Sequence, residues 1–408
     1  MDTYKEDIYK IIEYSLKEVL PDKAVVKALE GRDFSHGRII AVAIGKAAYR
    51  MAYVLSRHIR VDKGIVITKY GHLKEALENF ELYEAGHPLL DDNTIKATKR
   101  VLEITSDLKE DDQIIFLVSG GGSALFEDPL ISLEELIGIN DQLLKCGADI
   151  KEINTVRKHL SKVKGGRFAK HCAPAKVYQI VLSDVLGNRI DAIASGPSAA
   201  DTSTSRDAFD IIRKYDLHLS DEALKMIEKE TPKETDNVET FIGASVIDLC
   251  EAAKTCAQSL GYETLILDTQ KEGFARDAGK ELAEEAIKRL NNKEKTCLIM
   301  GGETVVKIKG KGLGGRNQEF ALIAAEYIKN KNIAIVSIGS DGTDGPTDAA
   351  GGYVDGDTYD KLKELGIDID AVLEDNDSYH ALKRIDQLIF TGPTGTNVND
   401  LMIALLSK

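Results

Sequence analysis

Two cations stand at the start of helical patterns, where an anionic ligand would suit them. Lys46 lies in Ile44-Gly45-Lys46-Ala47-Ala48, between an apolar run and a helical pattern. A cation at a helix N-terminus opposes the macrodipole, so a phosphate or carboxylate ligand accounts for it better than stability does. A solvated surface lysine is the other reading. Arg316 follows Gly312-Leu313-Gly314-Gly315 and opens a second helical pattern. Its planar guanidinium can grip phosphate or carboxylate through two parallel hydrogen bonds. A surface ion pair with Glu319, one turn on, is the alternative.

Between them lies Ser119-Gly120-Gly121-Gly122-Ser123, directly after the apolar run Gln113–Val118. Glycines let a backbone approach an anion and point N–H groups at it. No Gly-Lys-Ser/Thr follows, so this is not a Walker loop, and it is not G-x-G-x-x-G. More strands end in polar residues. Asp184 follows Val181-Leu182-Ser183, with Asn188 close behind and Ser195-Gly196-Pro197 as a turn. It could hold Mg²⁺ or a hydroxyl, or cap an ordinary turn. Glu303 and Thr304 follow Gly301-Gly302. Asp341, Asp344 and Asp348 crowd one loop after Ile338. The loop has a calcium-site composition but lacks the EF-hand glycine and terminal glutamate. Thr391-Gly392-Pro393-Thr394-Gly395-Thr396-Asn397 offers hydroxyls and amides, with Asn397 either lining a site or capping a helix. The histidines form no triad: His159 sits in a helix, His87 precedes Pro88, and both read as structural. No serine sits in G-x-S-x-G.

The elements that must carry these residues alternate. Strands are expected at 38–44, 63–69, 113–119, 176–182, 264–267, 296–300, 304–309, 333–338 and 388–390. Helices are expected at 2–20, 22–29, 46–58, 92–108, 132–146, 150–171, 205–215, 221–230, 245–260, 274–291, 316–329 and 398–406. Such alternation implies an α/β chain of open, mostly parallel sheets with helices on both faces. Polar, turn-rich Thr231–Asn237 places a boundary between domains 1–235 and 236–408.

At 408 residues, two domains are expected. A net charge of −14 disfavours nucleic acid or an anionic membrane as partner. No stretch approaches the ~20 apolar residues of a membrane span, and the start lacks a signal peptide's pattern. Five scattered cysteines without a C-x-x-C pair suit reduced thiols in a cytoplasmic protein.

Taken in order, these segments resemble the type II glycerate kinases. The matching pieces are Ala43–Ala47, Ser119–Ala124, Lys158–Arg167, Ser183–Val185, Ser195–Pro197, Gly301–Thr304, Gly314–Glu319, Asp341–Gly345 and Thr391–Asn397. The resemblance implies a Rossmann-like N-terminal domain and a smaller mixed-sheet C-terminal domain named MOFRL, with the active site between them. It implies γ-phosphoryl transfer from ATP to D-glycerate, usually giving 2-phosphoglycerate, with Mg²⁺ or another divalent cation. Residues matching Lys46 and Arg316 are regarded as essential in that family. Carried onto this chain, Ser119, Gly120, Gly121, Gly122, Ser123, Asp184 and Asn188 would bind the nucleotide. Lys46, Arg316, Glu303, Asp341 and Asn397 would bind glycerate. Asp184, Asp341 or Asp344 would bind metal or orient the acceptor hydroxyl. The reading leaves room for a homo-oligomer. Some members are labelled hydroxypyruvate reductases, but no nicotinamide fingerprint supports that here. A non-catalytic nucleotide- or sugar-acid-binding protein is the third reading.

Overall fold

The computed structural model describes residues 2–183, 185, 187, 189–290 and 294–407. It divides into a unit of Pro21–Gly243 and a unit of Met1–Leu20 with Ala244–Lys408. The expected boundary at 235/236 moves, for two physical reasons. Helix α1 (Asp2–Glu18) buries Ile8, Ile11, Ile12 and Leu16, and its Asp7 accepts the Tyr262 hydroxyl at 2.9 Å, so it belongs with the second half. The polar 231–237 segment is no linker. Thr231 donates to Asp201 at 2.9 Å, Asn237 donates to the carbonyls of Ala169 and Ala175, and the chain then adds a strand to the first sheet.

In the Pro21–Gly243 unit the chain runs through α2 (Pro21–Leu29), β1 (Ile39–Ile44), α3 (Ala48–His58), β2 (Lys63–Lys69), β3 (Phe80–Ala85), α4 (Asp92–Ile104), β4 (Gln113–Val118) and α5 (Gly122–Leu125). It continues through α6 (Leu133–Lys145), α7 (Ile150–His159), α8 (Arg167–Cys172), β5 (Lys176–Leu182), α9 (Ser205–Lys214), α10 (Asp221–Ile227) and β6 (Val238–Ala244). The strands order as β3-β2-β1-β4-β5-β6, and each pairing from β3 to β5 is parallel. β1 reads Ile-Ile-Ala-Val-Ala-Ile and is buried throughout, as a strand covered on both faces must be. This is the doubly wound order, whose direction reverses between β1 and β4. In such sheets ligands bind outside the carboxyl ends of the strands at that reversal. Phe116 of β4 packs on Phe126 and Phe168 with ring centroids 5.9 and 4.9 Å away, which anchors the glycine turn between β4 and Phe126. Helices α6, α7, α9 and α10 build a satellite core around Leu136, Ile139, Val156, Ile212 and Ile227.

In the other unit follow α11 (Val246–Ser259), β7 (Glu263–Lys271), α12 (Ala275–Arg289), β8 (Thr296–Gly302), α13 (Arg316–Tyr327), β9 (Ile333–Gly339) and β10 (Gly351–Asp355). Then come α14 (Thr358–Glu364), α15 (Ile369–Glu374), α16 (Ser378–Lys383), β11 (Leu388–Ile389) and β12 (Asp400–Leu406). The sheet is mixed, ordered β11-β10-β9-β12-β8-β7. β12 is antiparallel to both β8 and β9. The helix expected over 398–406 is therefore a central strand, buried at every residue. A short apolar run of Leu, Met, Ile and Ala suits either state, and tertiary pairing decides. The strand expected at 304–309 is also absent: Val305 makes one isolated bridge with Phe274.

Candidate active site

The loops after β1 and β4 are laced together at the reversal of the first sheet. Lys46 N–H donates to the Gly120 carbonyl at 2.8 Å. Gly45 has φ +110°, and a Cβ there would lie 2.3 Å from the Ser119 carbonyl oxygen, so only glycine allows the approach. Ser119 Oγ accepts from Ala47 N–H at 3.0 Å and donates to the Ile44 carbonyl at 3.2 Å. Ser119 is buried, so the phosphate contact expected of its hydroxyl is replaced by a lock between two loops.

The backbone beyond it is different. Among the described residues the N–H groups of Gly120, Gly121, Gly122 and Ser123 have no hydrogen-bond acceptor. Unpaired N–H groups at a glycine turn are costly unless water or a ligand takes them. Lys46 stands beside them, and its ammonium makes no ion pair or hydrogen bond among the described residues. Ser123 Oγ lies 3.1 Å from Ser195 Oγ, which donates to Asn154 at 3.0 Å. Its carbonyl accepts from Lys164 Nζ at 2.8 Å and Arg157 Nη2 at 3.2 Å. Burial holds Lys164 down to about 8, with Glu127 opposing at 3.6 Å. Asp184 and Asn188 lie outside the described residues.

In the other unit, Arg316 is the first residue of α13. Its Nε and Nη2 donate to the two carboxylate oxygens of Asp400 at 2.6 and 2.9 Å, and its Nη1 lies 3.3 Å from Glu303. Asp400 sits in register between Gly302 of β8 and Gly339 of β9 and is fully buried. Burial opposes the guanidinium's charge, yet the hydrogen bonds and charge of Asp400 hold it above its ordinary range. The expected alternative partner is elsewhere: Glu319 pairs with Arg276 at 2.9 Å and accepts from Asn376 at 2.6 Å. Arg316 therefore has one guanidinium edge fixed by Asp400, and the expected two-pronged grip on a ligand through that edge is unavailable to it.

Asp344 also has a task other than the expected one. One oxygen accepts Asn317 N–H at 3.1 Å and the other accepts Gln318 N–H at 2.9 Å. It caps α13, whose preceding residue, Gly315, has no side chain to do so. Burial raises its carboxyl to about 6 against those bonds. Asp341 is half-exposed and uses Oδ1 on the N–H and hydroxyl of Thr343. Its other oxygen has no partner among the described residues. Mg²⁺ usually binds through one or two carboxylates plus substrate phosphates and water, so Asp341 fits and Asp344 does not. No three His, Cys, Asp or Glu side chains group as a metal set among the described residues. Asn397 is half-buried, on a loop tied to the Asp341 loop by Thr394 Oγ1 to the Ser340 carbonyl at 2.6 Å and Val398 N–H to Ser340 Oγ at 2.8 Å. Asn399 Nδ2 donates to Glu303 at 3.2 Å. Each unit thus brings its own expected residues to one set of strand ends. Asp400 and Asn399 were missed because the stretch reads as a helix.

Comparisons with known proteins bear on what these strand ends do. A family model described as a domain of unknown function (DUF4147) matches residues 7–228, and the MOFRL family model matches residues 296–400. The D-glycerate 2-kinase of Thermotoga maritima is 50% identical over 99% of this chain and 99% of its own length. The glycerate 2-kinase of Pyrococcus horikoshii is 44% identical over 98% of this chain and 94% of its own. The chain belongs to the glycerate 2-kinase family. The crystal structure of the Thermotoga maritima glycerate kinase superposes with a TM-score of 0.95 at 48% identity, covering 100% of both chains. The expected two-part α/β fold of this kinase family is borne out, with a parallel first sheet and a mixed second one. No helix among the described residues is long and apolar enough to cross a membrane.

Proposed function

We propose that this chain transfers the γ-phosphoryl group of ATP to the 2-hydroxyl of D-glycerate, giving 2-phosphoglycerate and ADP. The observation that carries the reading is the pairing of unbonded N–H groups at Gly120–Ser123 with the unpaired Lys46 ammonium, at the sheet reversal. Phosphoryl transfer asks mainly for positioning and charge stabilisation. Those N–H groups cradle ATP phosphate oxygens. Lys46 neutralises charge on the moving phosphoryl group. Arg316, oriented by Asp400, presents Nη1 to a substrate oxygen, and Glu303 and Asn397 hold glycerate hydroxyls. A nucleotide-bound divalent cation would be held by the free oxygen of Asp341 and would screen phosphate charge. The glycerate hydroxyl oxygen bonds to the γ-phosphorus as the bond to the bridging oxygen of ADP breaks, and the hydroxyl proton leaves to solvent or a nearby base.

Removing either Lys46 or Arg316 should abolish the reaction. We place the enzyme in the cytoplasm, where its unpaired cysteines, one of them exposed, stay reduced. A second reading rests on a relative from Agrobacterium vitis, 38% identical over 98% of this chain and 94% of its own length, that is called a hydroxypyruvate reductase. Coupled ADP release with D-glycerate, beside NADH oxidation with hydroxypyruvate, separates the two, and phosphorus NMR of the product assigns the carbon. NADH oxidation without ADP release would overturn the kinase reading.

A further inference from the structure

The carboxyl end of β3 delivers a side chain to the same cradle that the sequence marks as merely structural. His87 follows Ala85 and Gly86, the residues that end and leave β3. Gly121 has φ +85°, and a Cβ built on it would lie 2.9 Å from His87 Nε2 and Cδ2 and 3.5 Å from Lys46 Cγ. The imidazole edge and the lysine stem therefore flank one glycine of the unbonded turn.

No ion pair neutralises the cations of this corner among the described residues. Lys46 and Lys69 face the ring, and neither makes an ion pair among the described residues. His72 faces it too, and its Nδ1 donates to the Lys46 carbonyl at 3.1 Å. The carboxylates on the adjoining chain are hydrogen-bonded to backbone and hydroxyl groups rather than paired with these cations. Glu84 accepts the N–H groups of Gly71, His72 and Leu73. Asp91 accepts the Tyr70 hydroxyl and the Thr94 N–H. The ring of His87 itself has no hydrogen bond among the described residues, although it is half-buried.

We propose that His87 is a ligand-contacting residue of this site, closing an anion against Lys46 and the Gly120–Gly122 backbone and taking up a proton from solvent as the anion binds. The inference rests on the phosphate-cradle part of the kinase reading. Burial first, and then the charges of Lys46, Lys69 and His72, hold the free imidazole down to about 4. It is therefore neutral in the empty site at neutral pH. A bound dianion supplies the missing counter-charge and favours the imidazolium. Linkage then requires the reverse effect: lowering the pH must tighten the anion. The gain is up to tenfold per pH unit between the bound-state and free-state values.

Inorganic sulfate is the probe, because it does not titrate between pH 5 and 8. Calorimetry on the full chain, in two buffers of different ionisation heat, reads affinity and proton uptake together. The expected result is net proton uptake and roughly tenfold tighter sulfate at pH 5.5 than at pH 8. His87→Gln should bind more weakly with a flat profile, while His72→Gln should keep the pH dependence. If His87→Gln misfolds by circular dichroism, nitrogen-15 NMR of the wild-type imidazoles replaces it, and the His87 signal must titrate higher with sulfate. A His87→Gln profile matching wild type, an unshifted His87 signal, or no sulfate binding at any pH would overturn the proposal. Wild-type ADP release with D-glycerate is scored separately, so the kinase reading can stand while His87 falls, or the reverse.

Discussion

Asp400→Ala tests whether the buried pair at the start of β12 governs Arg316. Asp400 is fully buried and Arg316 is 33% exposed. Removing one partner of a buried pair typically costs about 3–5 kcal/mol, because the other charge is left uncompensated. Here the guanidinium retains Glu303 at 3.3 Å and some water, which places the loss near the low end, about 3 kcal/mol. Asp400→Asn keeps an acceptor for one of the two bonds and should lose about 2 kcal/mol. A side chain no longer held by its Nε edge also loses its aim. Turnover should fall about 10²-fold, as when a charge-stabilising donor is displaced. Urea unfolding followed by circular dichroism reads the first effect, and coupled ADP release reads the second. The double replacement Arg316→Met with Asp400→Leu adds the decisive contrast. It should recover most of the stability, since an apolar pair often replaces a buried ion pair without loss, and recover none of the turnover. Asp400→Ala with stability within about 0.5 kcal/mol of wild type and turnover within threefold would refute the reasoning.

Lys46→Ala should lose at least ~10²-fold in turnover with an unchanged urea midpoint, because its ammonium holds nothing in the fold; near-normal turnover removes it from the mechanism. Ser119→Ala should behave in the opposite way, losing about 1–2 kcal/mol from its two buried hydrogen bonds but less than tenfold in turnover. A large catalytic loss with full stability would return Ser119 to the phosphate. Asp344 gives a pH signature. Its folded carboxyl is raised to about 6 from 3.8, so the folded state keeps a proton the unfolded chain has lost. Its contribution is complete below about pH 4 and is lost as pH rises through 6, by at most tenfold in the folding constant per unit. Comparing wild type with Asp344→Asn from pH 4 to 7 should show that slope in the wild type alone.

How much of this was legible depended on whether a residue's role was local. β1 and β4 declare themselves as unbroken apolar runs closed by glycine, and Lys46 stands out because a helix N-terminus gives a cation no reason to be there. Ser119 looked like a ligand because serine beside glycine is compatible with both roles. Only the register of β1 against β4 reveals that its hydroxyl is taken. Arg316 was visible, but its partner Asp400 lies far along the chain and is brought to it by a strand that reads as a helix. The same non-local pairing hid the place of α1, whose apolar face does not say which unit it will cover.

That arrangement has a consequence for synthesis. β12 lies in the middle of its sheet yet is translated after every other strand in it, and α1, which packs in the same unit, is translated before all of them. The Pro21–Gly243 unit can fold on the ribosome as soon as it emerges. The amphipathic first helix cannot. At 5–20 residues per second it waits roughly 12–50 s for α11, the helix it packs on most, to appear, with Ile8, Ile11, Ile12 and Leu16 uncovered. Later, until β12 is made, the incomplete sheet offers the facing edges of β8 and β9 to any passing strand. The nascent chain therefore exposes first an apolar helix face and then two strand edges, and a stall before Val246 would strand the former while a stall before Asp400 would strand the latter.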